Sequence, residues 1–357
     1  MNKYKVCVYA ISKNEEKFVD RWVNSMKEAD EIYVLDTGST DKTVKKLKKL
    51  GVKIYKKKIT PWRFDVARNM SLELVPNDTD IYVCTDLDEV LLPGWRKKLE
   101  EKWNNNTRAR YTYNWKLDEN NNPLISFYTE KIHSKGYRWI NPVHEILDCD
   151  FEESWVTIDD IVLNHYPDTS KSRSSYLPLL ELSVKENPNN DRNMHYLGRE
   201  YMYYHRWNEC IDTLIKHLSL KNATWKDERC ASMRFIARSY IELNRFDEAK
   251  MWLDKAIKEA PYLRDPYVER ALLSYRLEEW NDVIYYSNEA LKIKSHPKTY
   301  INEAFSFDYT LYDLLAISNY YLGNYDEAIN YSNEALKMEP NNERLKQNHQ
   351  IYLKKGN

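Results

Sequence analysis

The sequence predicts an α/β sheet domain followed by an all-α helical repeat domain. Three observations lead there. Up to about residue 165, short apolar runs alternate with amphipathic stretches, as strands alternate with helices in an α/β sheet. From about residue 190 the strand pattern stops, and a recurring aromatic–acidic segment replaces it. The length, 357 residues, is more than one core usually serves. The boundaries are read as 1–170 for the sheet domain, 171–190 for a linking helix and 191–357 for the repeats.

The elements follow in order. Val6–Ile11 is a first buried strand, and Phe18, Val19, Trp22, Val23 and Met26 then share one face of a helix. A second strand, "EIYVL" (31–35), runs into Asp36-Thr37-Gly38-Ser39-Thr40-Asp41. Gly38 suits a tight turn there, and Thr40 or Asp41 can cap the next helix. Gly51 closes that helix, and "VKIY" (52–55) is a third strand. The lysines from Lys45 to Lys58 read as a solvated helix face and an edge strand kept soluble by charge. A helix near 64–74 precedes a fourth strand, "IYVCT" (81–85). Ligands of open parallel sheets gather at the carboxyl ends of strands, and Asn14, Asp36 and Asp86 occupy three such ends. The Tyr-, Trp- and Asn-rich stretch 103–141 reads as an acceptor-binding wall or as an exposed hairpin insertion.

Beyond residue 190 four segments align: "HRWNEC" (205–210), "NRFDEA" (244–249), "EEWNDV" (278–283) and "GNYDEA" (323–328). Their anchors are Trp207, Phe246, Trp280 and Tyr325. Phe246 and Trp280 stand 34 residues apart, the tetratricopeptide period. The wider neighbouring gaps imply insertions of about 5 and about 11 residues on that period, the longer one holding "SHPKTYINEAF". Each segment precedes a second amphipathic helix, such as "AIKEAP" or "ALKMEP", closed by Pro261 and Pro340.

Composition narrows the function classes. With 54 Lys+Arg against 55 Asp+Glu the net charge is −1, which argues against a dedicated nucleic-acid binder. The five cysteines (7, 84, 149, 210 and 230) show no metal or redox spacing and read as reduced, as in a cytoplasmic protein. The apolar stretch near the N-terminus is too short for a signal peptide, and no run is long enough to span a bilayer.

The chemistry concentrates in "TDLDE" (85–89). Two carboxylates one residue apart at a strand end offer hard oxygen ligands for Mg2+ or Mn2+. Such ions take one or two protein carboxylates and fill the shell with water and substrate phosphates, and a sugar nucleotide diphosphate fits that need. A solvated turn explains the same pattern. Glu89 reads as a helix-start residue facing away from the pocket.

The ordered series "SKNEE" (12–16), "VLDTGSTDKT" (34–43), "WRFDVARN" (62–69), "TDLDE", "RWINPVHEIL" (138–147) and "LNHYP" (163–167) resembles the family 2 glycosyltransferases of GT-A fold. Continued through "YLGREY" (196–201) into the tetratricopeptide repeats, it is similar to the sublancin-type S-glycosyltransferases. The chain begins directly at its first strand, without the N-terminal extension of some relatives, and carries "DLDE" where others vary the flanking residues.

The resemblance implies roles. Asn14 and Glu15 would line the nucleobase pocket. Asp36 would accept from the uracil imide or the ribose, and Asp41 would order that loop or simply cap a helix. Arg68 would lie near the nucleotide-sugar or form a structural ion pair. Asp86 would contact ribose or metal, Asp88 would be the main metal carboxylate, and His165 would complete the metal shell unless it is only a satisfied core histidine. Glu145 would be the general base of an inverting transfer, with His144 orienting the acceptor or serving as the alternative base. Pro142 would hold their loop in place. The competing reading of Glu145 is an ion pair with Lys131 or Arg138.

The implied function is a metal-dependent, inverting transfer from a UDP-sugar to a peptide, protein or glycan, with Mn2+ or Mg2+ as cofactor. A modified nucleobase as acceptor is also compatible. The repeats would recognise the acceptor or form a homodimer. The alternative is a non-catalytic nucleotide-binding scaffold whose repeats mediate protein contacts. A nucleotidyltransferase falls away because "SKNEE" is acidic and lacks the glycines that cradle a triphosphate.

Overall fold

A computed structural model describes residues 3–170, 174–297 and 299–356. The first three residues of the expected linker, 171–173, lie outside the described residues, as does Lys298 of the expected insertion. The chain divides into two compact units, Met1–Lys185 with Lys298–Tyr300, and Glu186–Pro297 with Ile301–Asn357.

The N-terminal unit opens with β1 (Val6–Ser12), α1 (Val19–Met26), β2 (Glu31–Asp36), α2 (Thr43–Lys49), β3 (Lys53–Lys56), α3 (Phe64–Leu72) and β4 (Ile81–Cys84). It continues with β5 (Glu89–Leu91), α4 (Trp95–Trp103), β6 (Arg108–Leu117), β7 (Pro123–His133), β8 (Arg138–Ile140), β9 (Ile146–Asp148) and β10 (Trp155–His165). α5 (Tyr176–Glu186) ends the unit. Eight strands form one sheet in the order β3-β2-β1-β4-β7-β6-β10-β5, and β8 pairs with β9 separately.

The first four strands are parallel in register, so Ser12 lies level with Asp36. Their carboxyl ends therefore open on one edge. β3 is the sheet's edge, and its lysines are exposed, which blunts strand-to-strand association. β7 joins antiparallel to β4 and β6, so the aromatic-rich hairpin is built into the sheet. Ala109, Tyr111 and Ile132 belong to the core, while the outer residues Trp115 and Leu124 are exposed. The core packs the α1 residues Val19, Trp22, Val23 and Met26 against Val6, Val8 and Val83 of the sheet. Inside it, the Trp22 indole N–H donates to the buried Thr85 hydroxyl at 3.0 Å.

Glu89 departs from expectation. It begins strand β5 instead of a helix, and it is 2% exposed. The Pro93-Gly94 break is the reason: Gly94, at φ 82°, ends the extended stretch, and the helix starts only at Trp95.

The C-terminal unit pairs α6 (Asp191–Tyr203) with α7 (Trp207–Ser219), and α8 (Lys226–Glu242) with α9 (Phe246–Glu259). It pairs α10 (Asp265–Arg276) with α11 (Trp280–Lys292), and α12 (Thr310–Tyr321) with α13 (Tyr325–Met338), and α14 (Glu343–Gly356) packs on α13. The four aromatic anchors are each the first residue of a second helix. Two positions earlier stands a left-handed residue every time: His205, Asn244, Glu278 and Gly323, with φ of 57°, 55°, 58° and 81°. The next amide, from Arg206, Arg245, Glu279 and Asn324, donates to a carbonyl five residues back at 2.8–2.9 Å. Each repeat thus reverses direction through the same C-terminal cap.

All five cysteines are free, and all but Cys149 are buried. Among the described residues no helix is long and apolar enough to cross a membrane.

Candidate active site

The loops after β1 and β2 are stitched together by their own side chains. Asn14, itself at φ 56°, donates its amide to the Ser39 hydroxyl at 2.9 Å, and its side-chain oxygen accepts from the Thr40 amide at 2.8 Å. The Glu15 amide donates to the Thr43 hydroxyl at 2.7 Å. Asp41 receives the amides of Glu16 and Thr43, so it both orders the loop and caps α2. Asp36 is 2% exposed; its carboxylate accepts from the hydroxyls of Ser12 and Ser39 and the amides of Gly38 and Ser39. It shapes the loop at whose mouth Asn14 is exposed.

Arg68, on α3, is the hub of the next layer. Its Nη2 lies 2.9 Å and 3.1 Å from the two carboxylate oxygens of Asp86, and its Nε donates to Glu145. Its plane also lies over the Trp139 ring. The structure therefore gives Glu145 an ion-pair partner that the sequence reading did not name. Lys131 is committed to Glu89 and Asp86, and Arg138 to Asp148 and Asp150. Burial opposes the Arg68 charge, yet Asp86 and Glu145 outweigh it and hold the guanidinium firmly protonated.

Lys131, from β7, approaches Asp86 from the other side. Its ammonium sits 2.7 Å from both Glu89 oxygens and 3.5 Å from Asp86. Glu89 in turn accepts the Asp86 amide at 2.8 Å. Burial again opposes the Lys131 charge, and Glu89 and then Asp86 overcome it, so it stays an ammonium. For Asp86 too burial is the largest influence, but Arg68 and Lys131 prevail and keep the carboxyl well below the usual range. Glu145, Arg68, Asp86, Lys131 and Glu89 thus form one continuous chain of alternating charge.

Asp88 pairs with a histidine instead. One carboxylate oxygen lies 3.4 Å from His165 Nε2, while His165 Nδ1 is 3.1 Å from the Trp115 carbonyl. Burial opposes charge on the His165 ring, but the Asp88 carboxylate beside Nε2 outweighs it and holds the imidazole above its ordinary pKa. The exposed Trp115 ring stacks on the imidazole at 4.5 Å. Among the described residues no three His, Cys, Asp or Glu side chains converge on a common metal position. Of the three residues expected to hold an ion, Asp88 and His165 stand together, and Asp86 lies between Arg68 and Lys131.

His144 stands beside Glu145 at φ 50°, edge-on to Tyr176 at 5.7 Å between ring centres. Asn141 is also left-handed, at φ 78°, and the Pro142 carbonyl accepts the Phe64 amide at 2.9 Å, tying this loop to the start of α3. Lys131 and Glu89 are the members that sequence reasoning missed. A lysine next to the apolar end of a strand, "YTEKIH", is the signal that could have found the first.

Residues 7–151 match the model of Glycosyl transferase family 2, and residues 235–262 and 309–342 match that of a tetratricopeptide repeat. An uncharacterized glycosyltransferase of Rickettsia bellii is 32% identical over 108 residues, covering 30% of this chain and 35% of that protein. Another from Rickettsia conorii is 35% identical over 109 residues, covering 30% and 37%. The chain thus spans about a third of the length of the curated relatives it matches. Among solved structures, MamA is similar at 20% identity and a TM-score of 0.39, over 49% of this chain and 96% of that one. A thermophilic tetratricopeptide protein of Thermus thermophilus is similar at 19% identity and a TM-score of 0.36, over 50% and 90%. The N-terminal unit carries a family 2 glycosyltransferase domain, consistent with the GT-A fold, and tetratricopeptide repeats follow it.

Proposed function

We propose that the protein is an inverting, metal-dependent glycosyltransferase that moves a sugar from a UDP-sugar to a peptide, protein or glycan. The observation that carries this is the Asp88–His165 pair, set at the strand ends of a family 2 glycosyltransferase domain. One carboxylate and one imidazole whose other nitrogen is held by a carbonyl suit Mn2+, with Mg2+ the harder-ligand alternative. An ion held there would offset the negative charge that builds on the departing diphosphate.

The remaining roles fall to the chain's own side chains. Asn14 and Glu15, with the loop that Asp36 shapes, receive the nucleobase. Asp86, immobilised by Arg68 and Lys131, accepts from the ribose. Glu145 takes the proton from the acceptor as that atom bonds to the anomeric carbon and the bond from that carbon to the diphosphate breaks. His144 orients the acceptor and is the alternative base. Because Arg68 grips both Asp86 and Glu145, donor and acceptor sides share one anchor. The repeats supply contact with a protein acceptor or with a second copy.

Thermal shift tests the reading without knowledge of the acceptor. UDP-sugar with Mn2+ should raise the melting temperature, a chelator should reverse the rise, and Asp88→Ala should abolish it. Absence of any shift would favour the non-catalytic scaffold.

A further inference from the structure

From Lys42 to Phe64 the chain holds ten Lys and Arg and no Asp or Glu, although the whole sequence balances 54 against 55. The fold gathers most of these charges on one surface. Lys42, Lys45, Lys48 and Lys49 lie on the solvent side of α2, opposite the buried Thr43 and Leu47. α2 packs on β3, the sheet's edge, and Lys56, Lys57 and Lys58 are exposed where that strand ends. Tyr55, 48% exposed, stands beside them.

These lysines are unmatched. Among the described residues Lys46 pairs with Asp20 and Lys53 with Glu31, and the other seven make no ion pair. Exposed lysines of other helices have a carboxylate three or four positions away: Lys97 with Glu101, Lys292 with Glu289, Lys337 with Glu334 and Lys346 with Glu343. At those spacings α2 has like charges instead, Lys42 with Lys45 and Lys45 with Lys48 and Lys49, which weaken a helix. No acidic residue stands in its first turn to meet the helix dipole. Edge protection accounts for Lys53 and Lys56 on β3. It does not account for the α2 face, which a mixture of both signs would keep soluble without that repulsion.

We propose that the outer face of α2 and the adjoining edge of β3 form a docking surface for an anionic lipid bilayer. Seven unpaired ammonium groups spread over a helix face and a strand edge match a plane of lipid phosphates. Each adds about fivefold to partition near such a surface. Tyr55 suits the headgroup level, where amphipathic rings gather. A bilayer fits better than a nucleic acid. From Lys42 to Lys58 there is no Arg to fork onto phosphates or base edges, and one Tyr is not a stacking track. The Lys57 amide donates to the Asp36 carbonyl at 2.9 Å, so the patch borders the strand-end edge on which the candidate site opens. The proposal does not rest on sugar transfer.

Co-sedimentation of the full chain with vesicles tests it, with no donor or metal present. Vesicles of phosphatidylcholine with about 30% phosphatidylglycerol should carry the protein down at low salt, and phosphatidylcholine alone should not. Raising the salt from about 0.05 M to about 0.5 M should release it. The triple variant Lys45→Gln, Lys48→Gln, Lys49→Gln should lose at least about twentyfold in partition. The same exchange at Lys292, Lys337 and Lys346 should leave partition unchanged. If the α2 variant does not fold, Lys56→Gln, Lys57→Gln, Lys58→Gln carries the same expectation. No binding, equal binding to both kinds of vesicle, or a loss as large from the control variant would overturn the proposal. So would a DNA duplex that displaces the vesicles at equal charge concentration.

Discussion

Replacing Lys131 with Met keeps the stem and removes the charge between Glu89 and Asp86. Glu89, 2% exposed, would keep its bonds to the Asp86 amide and the Tyr113 hydroxyl but lose its cation, and Asp86 would keep Arg68. Opening a buried ion pair from one side costs about 3–5 kcal/mol, because an uncompensated charge stays inside. That is a large share of the roughly 5–15 kcal/mol that holds a domain together. The double variant Lys131→Met with Glu89→Gln removes both charges of the Lys131–Glu89 pair, and the Gln side-chain oxygen can still accept from the Asp86 amide. It should be destabilised by about 2 kcal/mol less than the sum of the two single variants, which is the interaction energy of the cycle. Scanning calorimetry on wild type, both single variants and the double variant measures this. A Lys131→Met protein within about 1 kcal/mol of wild type, or a double variant that loses the sum of the singles, would refute the reasoning.

Gly198 is tightly enclosed: a Cβ there would meet Leu214 Cδ2 at 2.3 Å and Cγ at 2.4 Å, and Leu214 is fully buried. Gly198→Ala should therefore cost about 1–3 kcal/mol through overpacking, read as a lower urea midpoint. Glu278 is the exposed repeat-turn residue that suits its φ of 58° least, so Glu278→Asn should raise the melting temperature by about 2–4 °C. A lower melting temperature would contradict the shared-turn account. Burial pushes both His133 and His195 down to about 3. In the folded chain the His133 ring is satisfied while neutral, since the Tyr9 hydroxyl donates to Nε2 as Nδ1 donates to the Ser134 carbonyl. Between that value and about 6.5 the unfolded chain binds more protons than the folded one. Stability should hold above about pH 6.5 and fall below it by up to about 1.4 kcal/mol per pH unit for each histidine. Equal urea midpoints at pH 7.5 and pH 5 would exclude this.

What was legible in the sequence is what depends on local pattern. The strand–turn–helix order, the edge lysines and the 34-residue repeat each rest on residues close together in the chain. The aromatic anchors even fall on helix starts, because a left-handed residue two positions earlier fixes where each second helix begins. The strand-end positions of Asn14, Asp36 and Asp86 follow likewise from counting residues along parallel strands. What was not legible depends on which distant side chain fills a shared space. Lys131 reaches Glu89 across 42 positions, and Arg68 reaches Glu145 across 77. No spacing rule links them. Glu89 was misread because an acidic residue after "DLD" looks like a helix start until Pro93-Gly94 is given its weight. The hairpin of β6 and β7 looked like an insertion because its outer half is polar and aromatic, yet its inner half pairs with β4 and β10 in mid-sheet.

The central claim is a metal-assisted sugar transfer in which Asp88 holds the ion and Asp86 does not. Release of UDP from a panel of UDP-sugars with Mn2+ and no added acceptor tests it most directly, because water can take the sugar. The account predicts slow, chelator-sensitive release from at least one donor. Asp88→Asn should abolish it, while Asp86→Asn weakens donor binding but keeps the same Mn2+ requirement. Release that persists in Asp88→Asn, or that needs no divalent ion, would contradict the account.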